Sequence, residues 1–223
     1  MSIECTDLGQ ALCIVTGASR GFGRAVAREM SQLMKPRSVI VLVARTEDDL
    51  RSLQKELAES EEGRAGLVAK CVVADLGQTE GVESVVGVSK ESFSDDMDHI
   101  ILVNNAASLG DVSRYAISFT NMAEPFSSWV LYCTGKAARD MIFRVLAEEE
   151  PDLRVLNYSP GPLDTDMYMV ARTRSADPGV RKSFSDMIDQ GQVLTCEKSC
   201  KKLMKLLLDD KYTSGDHIDI YDV

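Results

Sequence analysis

Only two histidines, His99 and His217, occur in the 223 residues, and the six cysteines (Cys5, Cys13, Cys71, Cys133, Cys196, Cys200) include no C-x-x-C pair. A structural metal centre needs clustered thiolates and imidazoles, so none is expected. Cys13 and Cys71 fall in apolar segments, where the reduced thiols of a cytosolic protein belong. Basic residues are outnumbered by acidic ones, 25 against 35, for a formal charge of −10. That balance argues against a general nucleic-acid or membrane-surface role, and any anion site must be local. No apolar stretch approaches a bilayer's thickness and no leader pattern opens the chain, so a soluble, cytoplasmic protein is expected. Repeats, low-complexity tracts and linkers are also missing. With 44% hydrophobic residues, the length suits one well-packed domain over residues 1–223.

What is present is an alternation of two periods. Apolar runs rich in Val, Ile and Leu recur at residues 11–15, 38–43, 67–74, 99–103, 153–158 and 217–221. Between them lie helical spacings such as Leu50, Leu53 and Leu57, or Met141 and Val145. Thr46 followed by Glu47, Asp48 and Asp49 reads as an N-cap with an acidic first turn. Strands apolar on both faces imply an α/β fold with a parallel sheet covered on each side by helices. Residues 59–63 and 92–98 read as surface loops, and 172–180, with Pro178 and Gly179, as a mobile one. Residues 197–208 read as a basic amphipathic helix packed on the core.

The first strand runs directly into Thr16, Gly17, Ala18, Ser19, Arg20, Gly21, Phe22 and Gly23, and a helical pattern follows. Three glycines at such a turn allow a tight reversal, a close backbone approach to a pyrophosphate, and packing of helix on strand. This is the Rossmann-like, doubly wound arrangement. Arg45, followed by Thr46, stands where an acid would favour NAD, and with Arg20 it suits a 2′-phosphate, so NADPH/NADP is the expected cofactor. Asp75 and Leu76 end the third strand beside the expected adenine, and Asn104 ends the fourth. Tyr132 and Lys136 lie one turn apart on one helix face, a phenol to protonate a carbonyl oxygen and a cation to lower its pKa.

With TGxxxGxG at Thr16 to Gly23, NNA at Asn104 to Ala106 and YxxxK at Tyr132 to Lys136, the chain resembles the short-chain dehydrogenase/reductase family. Further blocks at Ser108 to Ser113, Leu131 to Met141, Arg154 to Met167 and Ser214 to Asp222 resemble its branch that reduces side-chain ketones of pterins toward tetrahydrobiopterin. The resemblance implies an NADPH-dependent oxidoreductase, catalytic Tyr132 and Lys136 that also touch the cofactor, and a homodimer. It implies that Leu163, Asp164, Thr165, Asp166 and Met167 close over the nicotinamide, and that Gly161 lines the pterin pocket. Asp219 would grip the pterin's amino-pyrimidine edge with paired hydrogen bonds.

One departure is large. Between the NNA motif and the tyrosine, the family has a further helix, a central strand and a catalytic serine, for which this chain has no counterpart. The pattern breaks between Glu124 and Pro125, as an internal deletion of roughly 40 residues would break it. Ser118, Ser127 and Ser128 remain near the seam, the last two expected to cap the tyrosine helix. The sheet is expected to close up by one strand, the fourth connecting through that helix to residues 153–158. Two alternatives follow: a catalytically impaired NADP(H)-binding variant or partner of a full-length enzyme, and a carbonyl reductase of broad specificity.

Overall fold

The computed structural model describes residues 6–109 and 127–223. The seam and Ser118 lie outside the described residues. The chain divides into two compact units, broadly up to Ala107 and from Ser108 onward.

The first unit is built on four parallel strands, β1 (Ala11–Thr16), β2 (Val39–Ala44), β3 (Val68–Val73) and β4 (His99–Val103), in the order β3-β2-β1-β4. Every residue of β1 is buried, as a strand covered on both faces requires. One face collects Leu12, Ile14, Val39, Val41, Val43 and Val72, packed against Val85 and Val88 of α4 (Thr79–Ser92). The alternate residues Cys13, Val15, Ile40 and Leu42 point away from α4 and are also fully buried. Helices α1 (Gly21–Leu33) and α2 (Glu47–Glu59) pack on the strands, α2 through Leu50, Leu53 and Leu57. Each such leucine contributes about 2 kcal/mol by burial. Arg24 and Arg28 both pair with Glu56 and join α1 to α2.

Thr46 is the N-cap residue of α2 as expected, with three acids in the first turn, although its side chain makes no capping bond. Residues 61–64, expected in a loop, form a short helix α3 (Glu61–Arg64) that Ser60 caps. At β4 the sheet ends, among the described residues. Ile100 and Leu102 sit in register with Leu12 and Ile14, yet they are 61% and 58% exposed.

The second unit contains α5 (Val130–Glu149), β5 (Asn157–Ser159), α6 (Asp166–Arg174), α7 (Pro178–Asp189), α8 (Cys196–Asp209), β6 (His217–Asp219) and a closing 3-10 turn (Ile220–Asp222). Strands β5 and β6 pair in parallel as a two-stranded sheet of their own. The expected closure of one continuous sheet therefore does not occur among the described residues.

The strand expected at 153–158 is shorter and shifted, for a local reason. Val155 N–H donates to Ser214 Oγ (3.0 Å), so a side chain takes the bond that a ladder would need there. Likewise β6 stops at Asp219, because that carboxylate accepts from Tyr221 N–H (3.0 Å) and starts the 3-10 turn. Residues 172–180 are not a loop. Asp177 caps α7, accepting from Gly179 and Val180, with Pro178 in the first turn, so the segment is a helical hairpin of α6 and α7.

Candidate active site

The glycine turn is held by residues far away in sequence. Thr16 Oγ1 donates to Val103 O (3.1 Å) and accepts from the N–H groups of Asn105 (2.9 Å) and Ala106 (3.0 Å). Asn105 Nδ2 donates to Thr16 O (3.0 Å). Gly17 and Gly21 have φ of 68° and 57°, the left-handed region that only glycine enters freely. A Cβ on Gly17 would stand 2.9 Å from Asn105 Nδ2, and one on Gly23 would collide with the Gly17 carbonyl. Ala18 is fully buried, its N–H donating to Val43 O (3.1 Å), and Ser19 is buried too. Arg20 is the exposed N-cap residue of α1, ahead of the half-buried Phe22.

The remaining sequence-derived cofactor residues of this unit follow successive parallel strands. Arg45 and Thr46 are exposed after β2, and Asp75 and Leu76 follow β3. Asp75 Oδ1 accepts from Gly77 N–H (3.0 Å), shaping its turn, while Leu76 packs on the α4 side of the sheet. Asn104 is exposed directly after β4. Glycine turn, cations, acid and amide thus share the carboxyl rim of one parallel sheet, where open α/β folds bind ligands. A cradle that leaves no room for side chains at Gly17 and Gly23, opening onto a helix N-terminus, fits a dinucleotide pyrophosphate.

In the second unit α5 presents Tyr132 and Lys136 together. Lys136 Nζ lies 5.7 Å from the Tyr132 ring centroid. The phenol's pKa is raised by burial, with a smaller upward push from Cys133 and a counter-pull from Arg139. Lys136 is not among the groups that shift it: the cation faces the ring, and desolvation dominates. Lys136 is exposed as a residue, yet partial desolvation of its ammonium, followed by the charge of Arg139, lowers its pKa.

Tyr132 is anchored by an aromatic cluster. Trp129 meets it edge-on (centroids 5.4 Å, 82°) and tilts against Phe184 (5.3 Å). Trp129 Nε1 donates to the buried Ser175 Oγ (2.8 Å). Expected capping by Ser127 and Ser128 is not found. Trp129 occupies the N-cap position without a side-chain bond, Ser127 hydrogen-bonds Asp177, and Ser128 sits at φ 70° with its hydroxyl buried and unpartnered.

Leu163 is buried and bridges to Leu194, and Asp164 N–H donates to Leu194 O (3.0 Å). Thr165 caps α6, Asp166 begins it, and Met167 packs on the aromatic cluster. Gly161 (φ 77°) abuts Ile220 and Leu194; a cleft of about 470 Å³ lined by Pro162, Met187, Gln192, Leu194 and Tyr221 adjoins it. Asp219 is occupied in capping the 3-10 turn. Sequence reasoning missed Thr16, Asn105 and Trp129 as supports; the Thr before the first glycine and the doubled asparagine were the available signals.

Comparisons with known proteins agree with this geometry. A family model described as short chain dehydrogenase matches residues 11–124, ending at the residue placed before the seam. Sepiapterin reductase of Xenopus tropicalis is 42% identical, covering 96% of this chain and 98% of its own. That alignment runs over 258 positions, more than the 223 residues here, so it crosses residues that this chain lacks. Two solved structures share the fold. A short chain dehydrogenase/reductase of Saccharomyces cerevisiae has a TM-score of 0.77 at 21% identity, covering 96% of this chain and 97% of its own. L-sorbose reductase of Gluconobacter frateurii, solved with NADPH and L-sorbose, has 0.71 at 21%, covering 96% of each. The nucleotide cradle, the Tyr132–Lys136 pair and the match over half the chain together lead to one conclusion: this protein belongs to the short-chain dehydrogenase family of oxidoreductases and is sepiapterin reductase-like.

Proposed function

We propose that this chain is an NADPH-dependent carbonyl reductase that reduces side-chain ketones of pterins, sepiapterin among them, in tetrahydrobiopterin biosynthesis. The observation that carries the reading is the 42% identity to a sepiapterin reductase over 96% of the chain, with the glycine turn and the Tyr132–Lys136 pair both present. The reading needs both units to act as one catalytic domain.

Gly17, Ala18, Ser19, Gly21, Phe22 and Gly23 would hold the pyrophosphate, Arg20, Arg45 and Thr46 the 2′-phosphate end, and Asp75, Leu76 and Asn104 the adenine side. Leu163, Asp164, Thr165, Asp166 and Met167 would cover the nicotinamide, while Gly161 and Asp219 would receive the pterin. Bound NADPH supplies the hydride that reduces the carbonyl carbon. Tyr132 Oη gives its proton to the carbonyl oxygen, and burial, by holding the phenol protonated at neutral pH, keeps it in the state a donor needs. The negative charge is left on Tyr132 Oη, and the Lys136 ammonium over the same ring would offset it.

A soluble, cytoplasmic homodimer belongs to the same proposal. Its supports are the five described cysteines, none in a disulfide, no described helix long and apolar enough to cross a membrane, and the exposed stripe of Leu131, Ile142 and Val145 on α5. A second reading, a catalytically impaired NADP(H)-binding variant, draws on one feature: no residue of α5, the helix carrying Tyr132, is fully buried. NADPH titration beside a sepiapterin reduction assay separates the two. Binding with turnover supports the reductase, binding alone the variant, and neither signal from folded protein overturns both.

A further inference from the structure

Away from the nucleotide cradle and Tyr132, three side chains of the second unit form a chain of hydrogen bonds. Residues 157 and 159 of β5 share one sheet face with residues 217 and 219 of β6, because Asn157 pairs with His217 and Ser159 with Asp219. Ser159 Oγ lies 2.6 Å from His217 Nε2. His217 Nδ1 lies 2.6 Å from Asp140 Oδ1, contributed by α5. We propose that Ser159, His217 and Asp140 form a second reactive centre, a serine nucleophile with its base and orienting acid, that hydrolyses small activated carboxylic esters.

The order of the contacts carries the assignment. Asp140 accepts from Nδ1–H, which leaves the Nε2 lone pair facing Ser159 and able to take the hydroxyl proton. With the two ring nitrogens exchanged, the imidazole would offer Ser159 an N–H and could not act as its base. Competing acids are engaged elsewhere, since Asp219 accepts from Tyr221 N–H. Access is open, the His217 side chain being 51% and Asp140 27% exposed. The same strand brings Asn157, whose side-chain nitrogen is buried and has no acceptor.

In the first step Ser159 Oγ bonds to the ester carbonyl carbon while His217 Nε2 takes the Oγ proton, and the C=O π pair moves onto oxygen. The C=O bond re-forms as the C–OR bond breaks, and His217 returns the proton to the departing alkoxide. Water, giving a proton to the same nitrogen, then attacks the acyl-serine. Its collapse releases the carboxylic acid and restores Ser159, with ester and water consumed and acid and alcohol produced.

The test uses the full chain and p-nitrophenyl acetate. Phenolate release is followed by absorbance, and acetyl attachment by peptide mass mapping. The expected result is turnover above the buffer rate, transient acetyl on Ser159, and at least a hundredfold loss in Ser159→Ala, with fold checked by circular dichroism. Should Ser159→Ala fail to fold, Asp140→Asn carries the test: it keeps a hydrogen bond but favours the wrong tautomer, and loses on the order of 10²- to 10⁴-fold. Wild-type hydrolysis no faster than buffer, equal rates in wild type and the variant used, or acetyl on another residue each overturn the proposal.

Discussion

Lys136 Nζ stands over the ring of Tyr132, 5.7 Å from its centroid, one turn further along α5. The cation therefore meets the π face rather than the phenolic oxygen, and burial keeps the phenol's pKa above its usual value. A half-buried neutral phenol suits proton donation and hinders proton abstraction. Tyr132→Phe keeps the ring and removes the proton. It should lower ketone reduction by about 10²- to 10⁴-fold while the NADPH dissociation constant rises less than about tenfold. Single-turnover kinetics beside calorimetric titration check this; a variant that reduces ketones at the wild-type rate removes Tyr132 from the chemistry.

The second prediction concerns the turn. Gly23→Ala places a methyl group against the Gly17 carbonyl and Asn105 Nδ2, and Asn105 cannot retreat without opening its bonds to the Thr16 and Gly17 carbonyls. The backbone of the cradle must then shift. NADPH affinity should fall at least about tenfold, more than 1.4 kcal/mol, with overall helicity retained. Unchanged affinity by fluorescence titration contradicts the cradle as the pyrophosphate site.

How far the sequence foretold this arrangement depends on whether local or distant partners shape an element. Strands β1 and β2 and helix α2 are dense in Val, Ile and spaced leucines, so their burial follows from composition alone. The glycine turn was equally plain, because its demand for positive φ is written in residue type. Strand β5 was not, since its start depends on Ser214, some 60 positions on, whose hydroxyl accepts from Val155 N–H. The support given by Asn105 to Thr16 joins segments 89 residues apart, so the Thr before the glycines and the doubled asparagine mark the two partners locally but not their pairing. At 172–180 the signal was present: Asp177 followed by Pro178 is a helix start, but Pro and Gly were read as loop formers. Ser128 could not be read at all, because a positive φ at a serine has no signal in residue type.

A third prediction follows from Glu56, whose carboxyl is held below its usual pKa by hydrogen bonds from Arg28 and then Arg24. A group with a depressed folded pKa contributes stability that is complete above its unfolded pKa, near 4.5. That contribution fades as pH falls through the folded value. Glu56→Gln should therefore lower stability at pH 7 and flatten the loss seen on acidification below about pH 4.5. Urea unfolding across pH checks the sign. If the variant loses stability on acidification as steeply as wild type, the pairing of α1 and α2 through Glu56 contributes nothing.

Cysteine reactivity offers a fourth. Burial raises the Cys13 thiol to about 12 and, with the nearby Glu197 and Asp164 carboxylates, the Cys196 thiol to about 11. The thiolate is the nucleophile, so iodoacetamide at pH 8 should leave both unlabelled in the native protein and label them once it is unfolded. Native labelling of Cys13, read by peptide mass mapping, would contradict the packed β1 interior.

The last prediction turns on Trp129, the sole tryptophan of the chain. Its indole donates to Ser175 Oγ, which in turn donates to Ala171 O (2.6 Å) at the end of α6. Its ring also meets Tyr132 edge-on. Trp129→Phe removes the donor and leaves the Ser175 oxygen buried with one bond fewer, a cost of about 1–3 kcal/mol. Its smaller ring also leaves Tyr132 with less support, so stability and turnover should fall together, the latter through kcat more than KM. Double substitution with Ser175→Ala separates the two roles. It should recover part of the stability, because no unsatisfied hydroxyl remains, while kcat stays low because the edge contact is still lost. Recovery of both by Ser175→Ala would mean that the indole acts through its hydrogen bond alone and that Tyr132 is positioned by something else.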